Sequence, residues 1–482
     1  EVAGPARPVT SPVDGAAVGA VTEADEAAVQ SALAAAATGF PAWDATPVAT
    51  RAAALDRAAD LLEENRGRLI ALLQAEGGKT LDDALAEVRE AADLCRYYAV
   101  EARRRLVPEM LPGPTGESNE LHHRGRGTFI CISPWNFPLA IFTGQVMAAL
   151  VAGNAVIAKP AEQTPLVAAA AVRLFHRAGI PPAALHLIPG DGAVGALLVA
   201  SPRTAGVAFT GSTEVARSIN RTLAGRNGPI VPLIAETGGI NAMIVDATAL
   251  PEQVTDDVIT SAFRSAGQRC SALRLLCVQD DVADRVIAMV AGAARELKVG
   301  DPREPSTHVG PVIDADAKER LDRWIATMER LGRVRFRGGR ADRLSATGHY
   351  VVPAIIELQR AADLQEEVFG PVLHVVRYRA EALDRLLDDI AASGYGLTLG
   401  IQSRIDATIR RIVGRLATGN VYVNRNIIGA VVGTQPFGGS GLSGTGPKAG
   451  GPGYLRRFAL EQVVSVNTTA VGGNASLLAD TA

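Results

Sequence analysis

Short apolar segments alternate with helical segments from Thr128 onward, and this alternation limits the possible folds more than any other feature. The first strand candidates are residues 129–133, 155–158, 186–188 and 206–209. A second series starts at Ile240, with strand candidates at residues 241–245, 274–278 and 372–377 and helices starting near Pro251 and Val282. Strands that are joined through helices pair in parallel. The pattern therefore predicts two α/β units, which fits a length of 482 residues.

Charge and cysteine usage narrow the functional class. The chain has 48 basic and 51 acidic residues, and its longest basic block is Arg103-Arg104-Arg105. This distribution argues against nucleic acid as a partner. The four cysteines form no Cys-x-x-Cys pair, which favours a reducing, cytoplasmic location. Because the chain starts at Glu1 without a methionine, we also expect it to be excised from a longer protein.

The first hundred residues are rich in alanine and predict helices over residues 22–37, 50–74 and 80–105. Residues 139–158 carry no charge and are long enough to span a bilayer. However, Gly153 and Asn154 interrupt this stretch and indicate a helix end, a turn and a short buried strand. Two outlying segments, residues 116–127 and 463–469, are interpreted as projecting arms, the second as a lone strand.

Two turns are typical of anion binding. Gly190-x-Gly192-x-x-Gly195 follows a strand candidate and opens a helix, as in dinucleotide-binding folds, but a plain glycine-rich turn explains it equally well. At Gly211-Ser212 an apolar strand ends and a helix begins, which leaves backbone N–H groups free for a pyrophosphate. An ordinary helix N-cap remains the alternative for Ser212.

Lys159 and Glu162 follow a buried strand at its carboxyl end, where open α/β sheets bind ligands. A carboxylate at this edge can accept both hydroxyls of a ribose and repels a 2′-phosphate, so Glu162 favours NAD over NADP. The alternative is a solvated ion pair on the surface.

Cys270 is the best nucleophile candidate, because Gly, Arg and Ser surround it in a polar turn where a thiol can be exposed and partly ionised. The remaining cysteines lie among apolar neighbours and are interpreted as core thiols. Glu236 ends an apolar run beside two glycines and is a candidate general base. The seven histidines lack the spacing of zinc ligands, so we expect no catalytic metal.

Taken together, these segments resemble the aldehyde dehydrogenase superfamily over nearly the full chain. The matching segments, in the same order, are Ser-Pro-Trp-Asn-Phe-Pro at 133–138, Lys-Pro-Ala-Glu at 159–162, Phe-Thr-Gly-Ser-Thr-Glu at 209–214, Glu-Thr-Gly-Gly at 236–239, Gly-Gln-Arg-Cys at 267–270, Glu-Val-Phe-Gly-Pro at 367–371 and Pro-Phe-Gly-Gly at 436–439. Residues 444–452 and the tail at 467–475 are most similar to the L-glutamate γ-semialdehyde dehydrogenase modules of bifunctional proline utilization A proteins.

The resemblance implies the α/β aldehyde dehydrogenase fold. It implies a Rossmann-like NAD-binding domain over residues 1–115 and 128–237 and an α/β catalytic domain over residues 238–435. Residues 116–127 and 458–475 would form a small β-flap through which the chain makes a homodimer. A proline dehydrogenase domain would lie upstream in the parent protein, and this chain would oxidise the semialdehyde but not proline.

The resemblance also implies catalytic roles. Cys270 attacks the aldehyde, and the resulting oxyanion is held by the Asn136 side chain and the Cys270 backbone N–H. Such preorganised donors contribute about 3 to 4 kcal/mol each. Hydride transfer to NAD⁺ leaves a thioester, and Glu236 activates the water that releases the carboxylate.

The cofactor residues implied by the resemblance surround each part of NAD. Lys159 and Glu162 contact the adenosine ribose, Gly211 and Ser212 the pyrophosphate, and Glu367 the nicotinamide ribose. Trp135 and Phe369 form walls of the cofactor site, and Gly195 lines its adenine side. Many relatives carry a second glycine at the position of Ala216, which leaves the close approach of that helix to the pyrophosphate in question.

A semialdehyde with an amino acid head group needs donors for its carboxylate and an acceptor for its ammonium. By resemblance, the carboxylate anchors are Ser271, Gly429 and Ala430. Phe137 and Phe437 form the walls around the aliphatic stem. Glu90 is the candidate for the ammonium, with a solvated helix face as its alternative.

Three alternative functions remain open. A CoA-acylating enzyme would pass the acyl group to a thiol, which the presence of Glu236 disfavours. A dehydrogenase of another semialdehyde, such as succinate semialdehyde, would need no ammonium acceptor. A non-catalytic binding protein of this fold would have lost the nucleophile, the base or the cofactor residues, and this sequence retains all of them.

Overall fold

The computed structural model describes residues 6–339 and 347–471. Its central feature is a pair of largely parallel β-sheets that are surrounded by helices. The helices are α1 (Glu26–Asp44), α2 (Val48–Glu64), α3 (Arg66–Gly77), α4 (Leu81–Arg105), α5 (Ala140–Val151), α6 (Pro165–Arg177), α7 (Gly192–Ala200), α8 (Thr213–Ala224), α9 (Pro251–Phe263), α10 (Asp280–Arg295), α11 (Ala315–Arg330), α12 (Leu383–Ala392) and α13 (Asp406–Arg415).

The first sheet has five parallel strands. These are β5 (Thr128–Ile132), β6 (Ala155–Lys159), β7 (Leu185–Leu187), β8 (Thr204–Thr210) and β9 (Leu233–Glu236), in the spatial order β7-β6-β5-β8-β9. The four strands predicted in this part of the sequence are confirmed to within two residues at each end. Because the strands are parallel, Lys159, Thr210 and Glu236 all lie at the same carboxyl edge.

The second sheet has seven strands. These are β10 (Ala242–Val245), β11 (Leu275–Gln279), β12 (Val334–Arg337), β13 (Ala354–Leu358), β14 (Val372–Tyr378), β16 (Thr398–Gln402) and β17 (Asn420–Val423). Their order is β12-β13-β14-β11-β10-β16-β17, and the edge strand β12 alone pairs antiparallel. Two α/β units with parallel sheets are therefore confirmed.

The N-terminal helices pack against both faces of the first sheet. Helices α2 and α4 share one hydrophobic cluster with one face, and α1 shares a second cluster with the other. The single helix predicted over residues 50–74 is wrong, since α2 ends at Glu64 and α3 begins at Arg66. Between them the Asn65 side chain donates to the Leu61 carbonyl at 2.8 Å. Asparagine interrupts helices in this way because its amide competes for the backbone hydrogen bonds.

Helix α4 begins as its sequence predicts. Thr80 caps it by accepting from the Asp83 N–H, acidic residues occupy its first turn, and three arginines occupy its last. Two acidic residues of its first turns are buried against neighbouring segments: Asp83 accepts from Arg264 and Ser265 after α9, and Glu87 accepts from the Leu139 N–H.

A three-stranded antiparallel sheet projects from the two main units. It contains β3 (Glu109–Leu111), β4 (Glu117–Gly125) and β19 (Ala459–Asn467) in the order β19-β4-β3. The strand-like run predicted at residues 463–469 corresponds to β19, which begins four residues earlier, at Ala459, and pairs with β4 along its whole length. The third strand, β3, was not predicted. Residues 472–475 of the predicted flap lie outside the described residues.

Two small antiparallel pairs complete the strands. They are β1 (Ala6–Thr10) with β2 (Ala17–Thr22), and β15 (Tyr395–Gly396) with β18 (Ser440–Gly441). The helix expected to start at residue 22 begins at Glu26 instead, because Asp25 caps it and β2 occupies residue 22.

The uncharged segment at residues 139–158 is divided between a helix and a strand. Helix α5 ends at Val151 and β6 starts at Ala155, as the turn at Gly153 and Asn154 predicts. Among the described residues, no helix is long and apolar enough to cross a membrane.

Candidate active site

The predicted nucleophile lies in a strained turn between α9 and β11. Ser265, Ala266 and Gly267 all have left-handed backbones, with φ of 56°, 53° and 66°. A side chain is unfavourable at such angles, and at Gly267 a Cβ would also lie 2.1 Å from the Gly370 carbonyl oxygen. The turn therefore depends on neighbours that hold it in place.

Asp83 of α4 is one of these neighbours. Its carboxylate accepts from Arg264 Nε at 2.7 Å, from Arg269 Nη2 at 2.8 Å and from the Ser265 hydroxyl at 2.7 Å. Burial alone would raise the pKa of Asp83, but the charges of Arg269 and Arg264 outweigh it and hold that pKa well below its usual range. Asp83 is therefore ionised and ties the turn to α4.

The Cys270 thiol is half-buried at the end of this turn. Asn241 holds the backbone on both sides of it, because its Nδ2 donates to the Cys270 carbonyl at 2.6 Å and to the Ala272 carbonyl at 2.9 Å. Burial, followed by the charges of Glu367 and Glu236, raises the pKa of Cys270 to about 12. The expectation of a partly ionised thiol is therefore wrong for this state, in which the thiol is neutral.

Two candidate donors contact or belong to the nucleophile turn. Asn136 Nδ2 donates to the Gln268 carbonyl at 3.1 Å, which places this amide against the turn, and the amide makes no further hydrogen bond to a described residue. Among the described residues, the backbone N–H of Cys270 donates to no protein acceptor. These two groups are the predicted oxyanion donors, and that role stays a prediction.

Glu236 lies at the carboxyl end of β9 with its carboxylate buried. One oxygen, Oε2, accepts from the Gly439 N–H at 3.0 Å, whereas Oε1 has no hydrogen-bond partner among the described residues. Burial raises the pKa of Glu236 to about 8, opposed by the Gly439 hydrogen bond and the charge of Lys448. A carboxylate with that pKa can take up and release a proton near neutral pH, as a general base must.

Glycines make room for this carboxylate. A Cβ at Gly438 would lie 2.7 Å from Glu236 Oε1, and a Cβ at Gly444 would lie 2.8 Å from Oε2. A side chain at either position would require the Glu236 carboxylate to move, so the Pro-Phe-Gly-Gly motif and the glycine at 444 together form the pocket of the candidate base.

Glu367 and two aromatic rings form the next wall of the site. Glu367 Oε1 lies 3.0 Å from Arg274 Nη2, and a Cβ on Gly238 would lie only 1.8 Å from Glu367 Oε2. The rings of Trp135 and Phe369 meet edge to face with centroids 5.6 Å apart. The predicted cofactor walls are thus in contact with each other.

The remaining cofactor candidates lie at the carboxyl edge of the five-stranded sheet. Lys159 is buried, Gly195 of α7 faces its alkyl chain with a hypothetical Cβ 3.5 Å away, and the charge of Glu162 acts on its ammonium. Ser212 caps α8 by accepting from the Val215 N–H. The Gly211 N–H donates to the Glu236 carbonyl at 3.1 Å, which links the predicted pyrophosphate turn to the candidate base.

The methyl group of Ala216 does not disturb helix α8. It is buried in a hydrophobic cluster with Phe209 and Ile219. The helix therefore accommodates alanine where many relatives have glycine.

The predicted carboxylate anchors lie on two segments. Ser271 is buried directly after Cys270. The Gly429 carbonyl accepts from the Tyr422 hydroxyl at 2.7 Å, while neither the Gly429 nor the Ala430 N–H donates to another described residue. These two N–H groups are therefore available to an anionic ligand.

The predicted aromatic walls are both half-buried. Phe437 pairs with Ala449 through two backbone hydrogen bonds of 2.9 and 2.8 Å. The Phe137 ring lies below two cations, with Lys79 Nζ 4.0 Å and the Arg269 guanidinium carbon 5.1 Å from its centroid.

Glu90 belongs to the charged group around Phe137. Its side chain is half-buried, and burial, followed by the charge of Glu87, raises its pKa to about 7. Arg269 and Lys79 act in the opposite direction. The carboxyl is thus partly shielded from water, whereas a solvated helix face would leave it exposed.

The sequence did not predict three residues that the structure places in this site: Asp83, Asn241 and Arg274. Two of them carried a signal, because Asn241 and Arg274 are polar residues at the starts of otherwise apolar strand segments. Asp83 carried none, since an acid in the first turn of a helix is explained by the helix dipole alone.

Comparison with known proteins identifies one family over nearly the whole chain. A profile of the aldehyde dehydrogenase family matches residues 3–464. The bifunctional protein PutA of Klebsiella aerogenes is 53% identical over 464 residues, which cover 94% of this chain and 34% of that protein. The chain thus spans about a third of the length of this relative.

Two solved structures are similar throughout. A variant of proline utilization A from Bradyrhizobium japonicum is 65% identical with a TM-score of 0.92, covering 93% of this chain and 46% of that one. The 1-pyrroline-5-carboxylate dehydrogenase from Thermus with bound NAD is 36% identical with a TM-score of 0.92, covering 97% of this chain and 91% of that one.

Proposed function

The chain belongs to the aldehyde dehydrogenase family, and we propose that it oxidises L-glutamate γ-semialdehyde to L-glutamate with NAD⁺. The observation that carries this proposal is the arrangement of Cys270 between an amide, Asn136, and a buried carboxylate, Glu236, with an unpartnered oxygen. The Thermus relative, which this chain covers almost completely, is a 1-pyrroline-5-carboxylate dehydrogenase. Hydrolysis of the cyclic imine 1-pyrroline-5-carboxylate gives glutamate γ-semialdehyde, so this relative supports the semialdehyde as the substrate, in the second step of proline catabolism.

NAD fits the residues at the carboxyl edge of the five-stranded sheet. Lys159 and the neighbouring Glu162 would offer a donor and an acceptor to an adenosine ribose, and the N-terminus of α8 would offer backbone N–H groups to a pyrophosphate. When bound, the cofactor supplies the hydride acceptor. Trp135 and Phe369 would exclude water from one side of it.

The first chemical step falls to Cys270. Its thiol gives up a proton to solvent, and sulfur forms a bond to the aldehyde carbon while the carbonyl electrons move onto oxygen. The Asn136 amide and the Cys270 N–H donate to that oxyanion. Burial raises the pKa of this thiol, so the resting Cys270 is neutral and must lose its proton before it can attack.

Loss of hydride from this thiohemiacetal leaves a thioester on Cys270. Glu236 then takes a proton from water, the water oxygen bonds to the acyl carbon, and the carbon–sulfur bond breaks to release the carboxylate. The unpartnered Oε1 of Glu236 is the oxygen that can accept the proton.

The head group of the substrate distinguishes the semialdehydes. Ser271 and the free N–H groups of Gly429 and Ala430 would bind its carboxylate, and Glu90 would bind its ammonium. Phe137 and Phe437 would enclose the methylene stem. An ammonium beside Glu90 would also lower the pKa of this carboxyl and hold it in its charged form.

The substrate assignment is tested by comparing NADH formation from glutamate γ-semialdehyde and succinate semialdehyde, with the wild type and Glu90→Ala. We expect the wild type to prefer the amino acid semialdehyde and Glu90→Ala to lose most of that preference, since an ion pair to the ammonium is removed. Equal kcat/KM for both substrates in the wild type would contradict the proposal. Accumulation of acyl-CoA when CoA is supplied would contradict hydrolysis.

We also propose that the three-stranded sheet makes a homodimer. Strand β19 exposes Leu460, Val464 and Val466 on one face, which form an apolar row on a projecting arm. Light scattering tests this assembly, because Val464→Lys should yield monomers whereas the wild type should not.

Two further points stay proposals. One is a cytoplasmic location, which fits the free cysteines. The other is association with a proline dehydrogenase unit, as in the bifunctional relatives.

A further inference from the structure

Arg274 is a completely buried arginine at the start of β11, with 0% of its surface exposed. A guanidinium carries five N–H donors and a permanent charge, and burying it is costly unless those donors are paired. The hydrogen-bond partners of Arg274 therefore indicate its role in the structure. They lie on two loops that the proposed chemistry must bring together.

The first loop is the nucleophile turn. Arg274 Nη1 donates to the Gly267 carbonyl at 2.6 Å, and Nη2 donates to the Arg269 carbonyl at 2.9 Å. Gly267 is one of the three left-handed residues, and Arg269 directly precedes Cys270. The guanidinium thus fixes two carbonyl groups within three residues of the thiol.

The second loop contains the predicted cofactor residues at 367–370. Glu367 Oε1 accepts from Arg274 Nη2 at 3.0 Å and from Nε at 3.3 Å, and the Gly370 carbonyl lies 3.4 Å from Nη1. The guanidinium carbon lies 4.9 Å from the centroid of the Phe369 ring. Both predicted cofactor side chains of this loop therefore contact Arg274.

The backbone of Arg274 is itself fixed from the opposite side. Its carbonyl accepts from the His374 N–H at 3.0 Å and faces His374 Nδ1 at 3.1 Å. Trp324 Nε1 can only donate, and it lies 3.0 Å from His374 Nε2, so the His374 proton sits on Nδ1. Burial lowers the pKa of His374 to about 4, which keeps this support neutral.

We propose that Arg274 is a positioning residue that sets the nucleophile turn and the cofactor loop in one fixed relation. This inference rests on the proposed function, because it takes Cys270 as nucleophile and residues 367–370 as a cofactor contact. No other described side chain hydrogen-bonds to both loops. Without the guanidinium, the thiol and the hydride acceptor would each remain present but would no longer be aligned.

The experiment compares Arg274→Met and Arg274→Lys with the wild type. Three readouts need no turnover: the Kd of NAD⁺ without aldehyde, the rate of Cys270 alkylation by iodoacetamide without NAD⁺, and the thermal unfolding midpoint. The fourth is the rapid burst of NADH. None of the first three depends on the substrate, so failure of this inference is distinguishable from failure of the proposed function, which is measured by turnover of the wild type.

We expect Arg274→Met to weaken NAD⁺ binding about tenfold and to slow the burst about 100-fold, as misplacement of reacting groups by about 1 Å does. The alkylation rate should change as well. Arg274→Lys keeps the charge but not the fork of donors, so it should recover much of the unfolding midpoint and little of the burst.

The matched control is Arg285→Met, which removes an exposed arginine paired with Glu252 on the neighbouring helix. It should leave all four readouts at wild-type values. If a folded Arg274→Met enzyme binds NAD⁺ and produces the burst within twofold of the wild type, the inference is overturned. Failure of both Arg274 variants to fold would assign the residue to folding alone and would overturn it as well.

Discussion

The nucleophile and the candidate base are held in opposite ways. Cys270 lies on a strained turn that is fixed by two buried ions, Asp83 on one side and Arg274 on the other. Glu236 receives a single hydrogen bond, from Gly439, and one of its oxygens has no partner among the described residues. The nucleophile turn is held rigidly, whereas the buried charge of Glu236 is compensated only in part, by Gly439 and Lys448.

This difference matches what each group must do. A nucleophile that attacks, receives an acyl group and releases it benefits from one fixed position. A general base must change its protonation state in every cycle, and strong hydrogen bonds or a tight ion pair would hold it permanently ionised with a low pKa. Burial without a close ion pair instead raises the pKa of Glu236 to about 8.

The largest effect is expected from removing the nucleophile itself. Cys270→Ala should abolish aldehyde oxidation, because no thioester can form, while NAD⁺ binding stays nearly unchanged. Turnover and cofactor titration on the same preparation measure both. Residual turnover above a few per cent of the wild-type rate would show that Cys270 is not the nucleophile.

The next largest effect is expected from the ion that fixes the turn. Asp83→Asn leaves two arginines without their carboxylate and should lower the free energy of unfolding by about 3 kcal/mol. Denaturant unfolding measures this loss, and we expect a slower NADH burst in the folded enzyme.

Asp82→Asn is the matched control for Asp83, since Asp82 is exposed in the same helical turn. It should change the free energy of unfolding by no more than about 0.5 kcal/mol. Equal effects of the two substitutions would show that the turn does not depend on the buried ion.

The smallest effect concerns the base and its pH dependence. Because Glu236 must be ionised to activate water, turnover limited by deacylation should rise with pH up to about 8. Lys448→Met removes a charge that lowers this pKa and should move the rise to higher pH by on the order of one unit. Lys318→Met, at a salt-bridged surface position, should leave the profile unchanged. An unchanged profile in Lys448→Met would contradict the electrostatic account of Glu236.

The sequence predicts the strands of this fold better than the ion pairs of its site. Alternating apolar segments locate the parallel strands, because burial on both faces leaves a local signal. Cys270 and Glu236 could be proposed because each lies in a glycine-containing motif. Asp83 could not, since its partners at Arg264 and Arg269 are about 180 residues away in the chain and meet it only after folding.

The protonation state of the Cys270 thiol also could not be predicted from the residues next to it in the sequence. Its polar neighbours favoured a partly ionised Cys270, whereas burial and two carboxylates distant in sequence make it neutral. Similarly, the break between α2 and α3 depends on one asparagine within an otherwise regular helical pattern. Desolvation determines the protonation state of Cys270, and a single hydrogen bond determines the break between the two helices. The periodicity of apolar residues in the sequence indicates neither effect.

The most direct test of the account is rapid mixing of Glu236→Gln with NAD⁺ and glutamate γ-semialdehyde. The substitution keeps the shape of the side chain and removes the base. The account predicts one burst of NADH per Cys270, followed by arrest, with a γ-glutamyl group found on the Cys270 peptide by mass spectrometry. Continued turnover at the wild-type rate, or a burst without an adduct on Cys270, would contradict a thioester at Cys270 that Glu236 helps to hydrolyse.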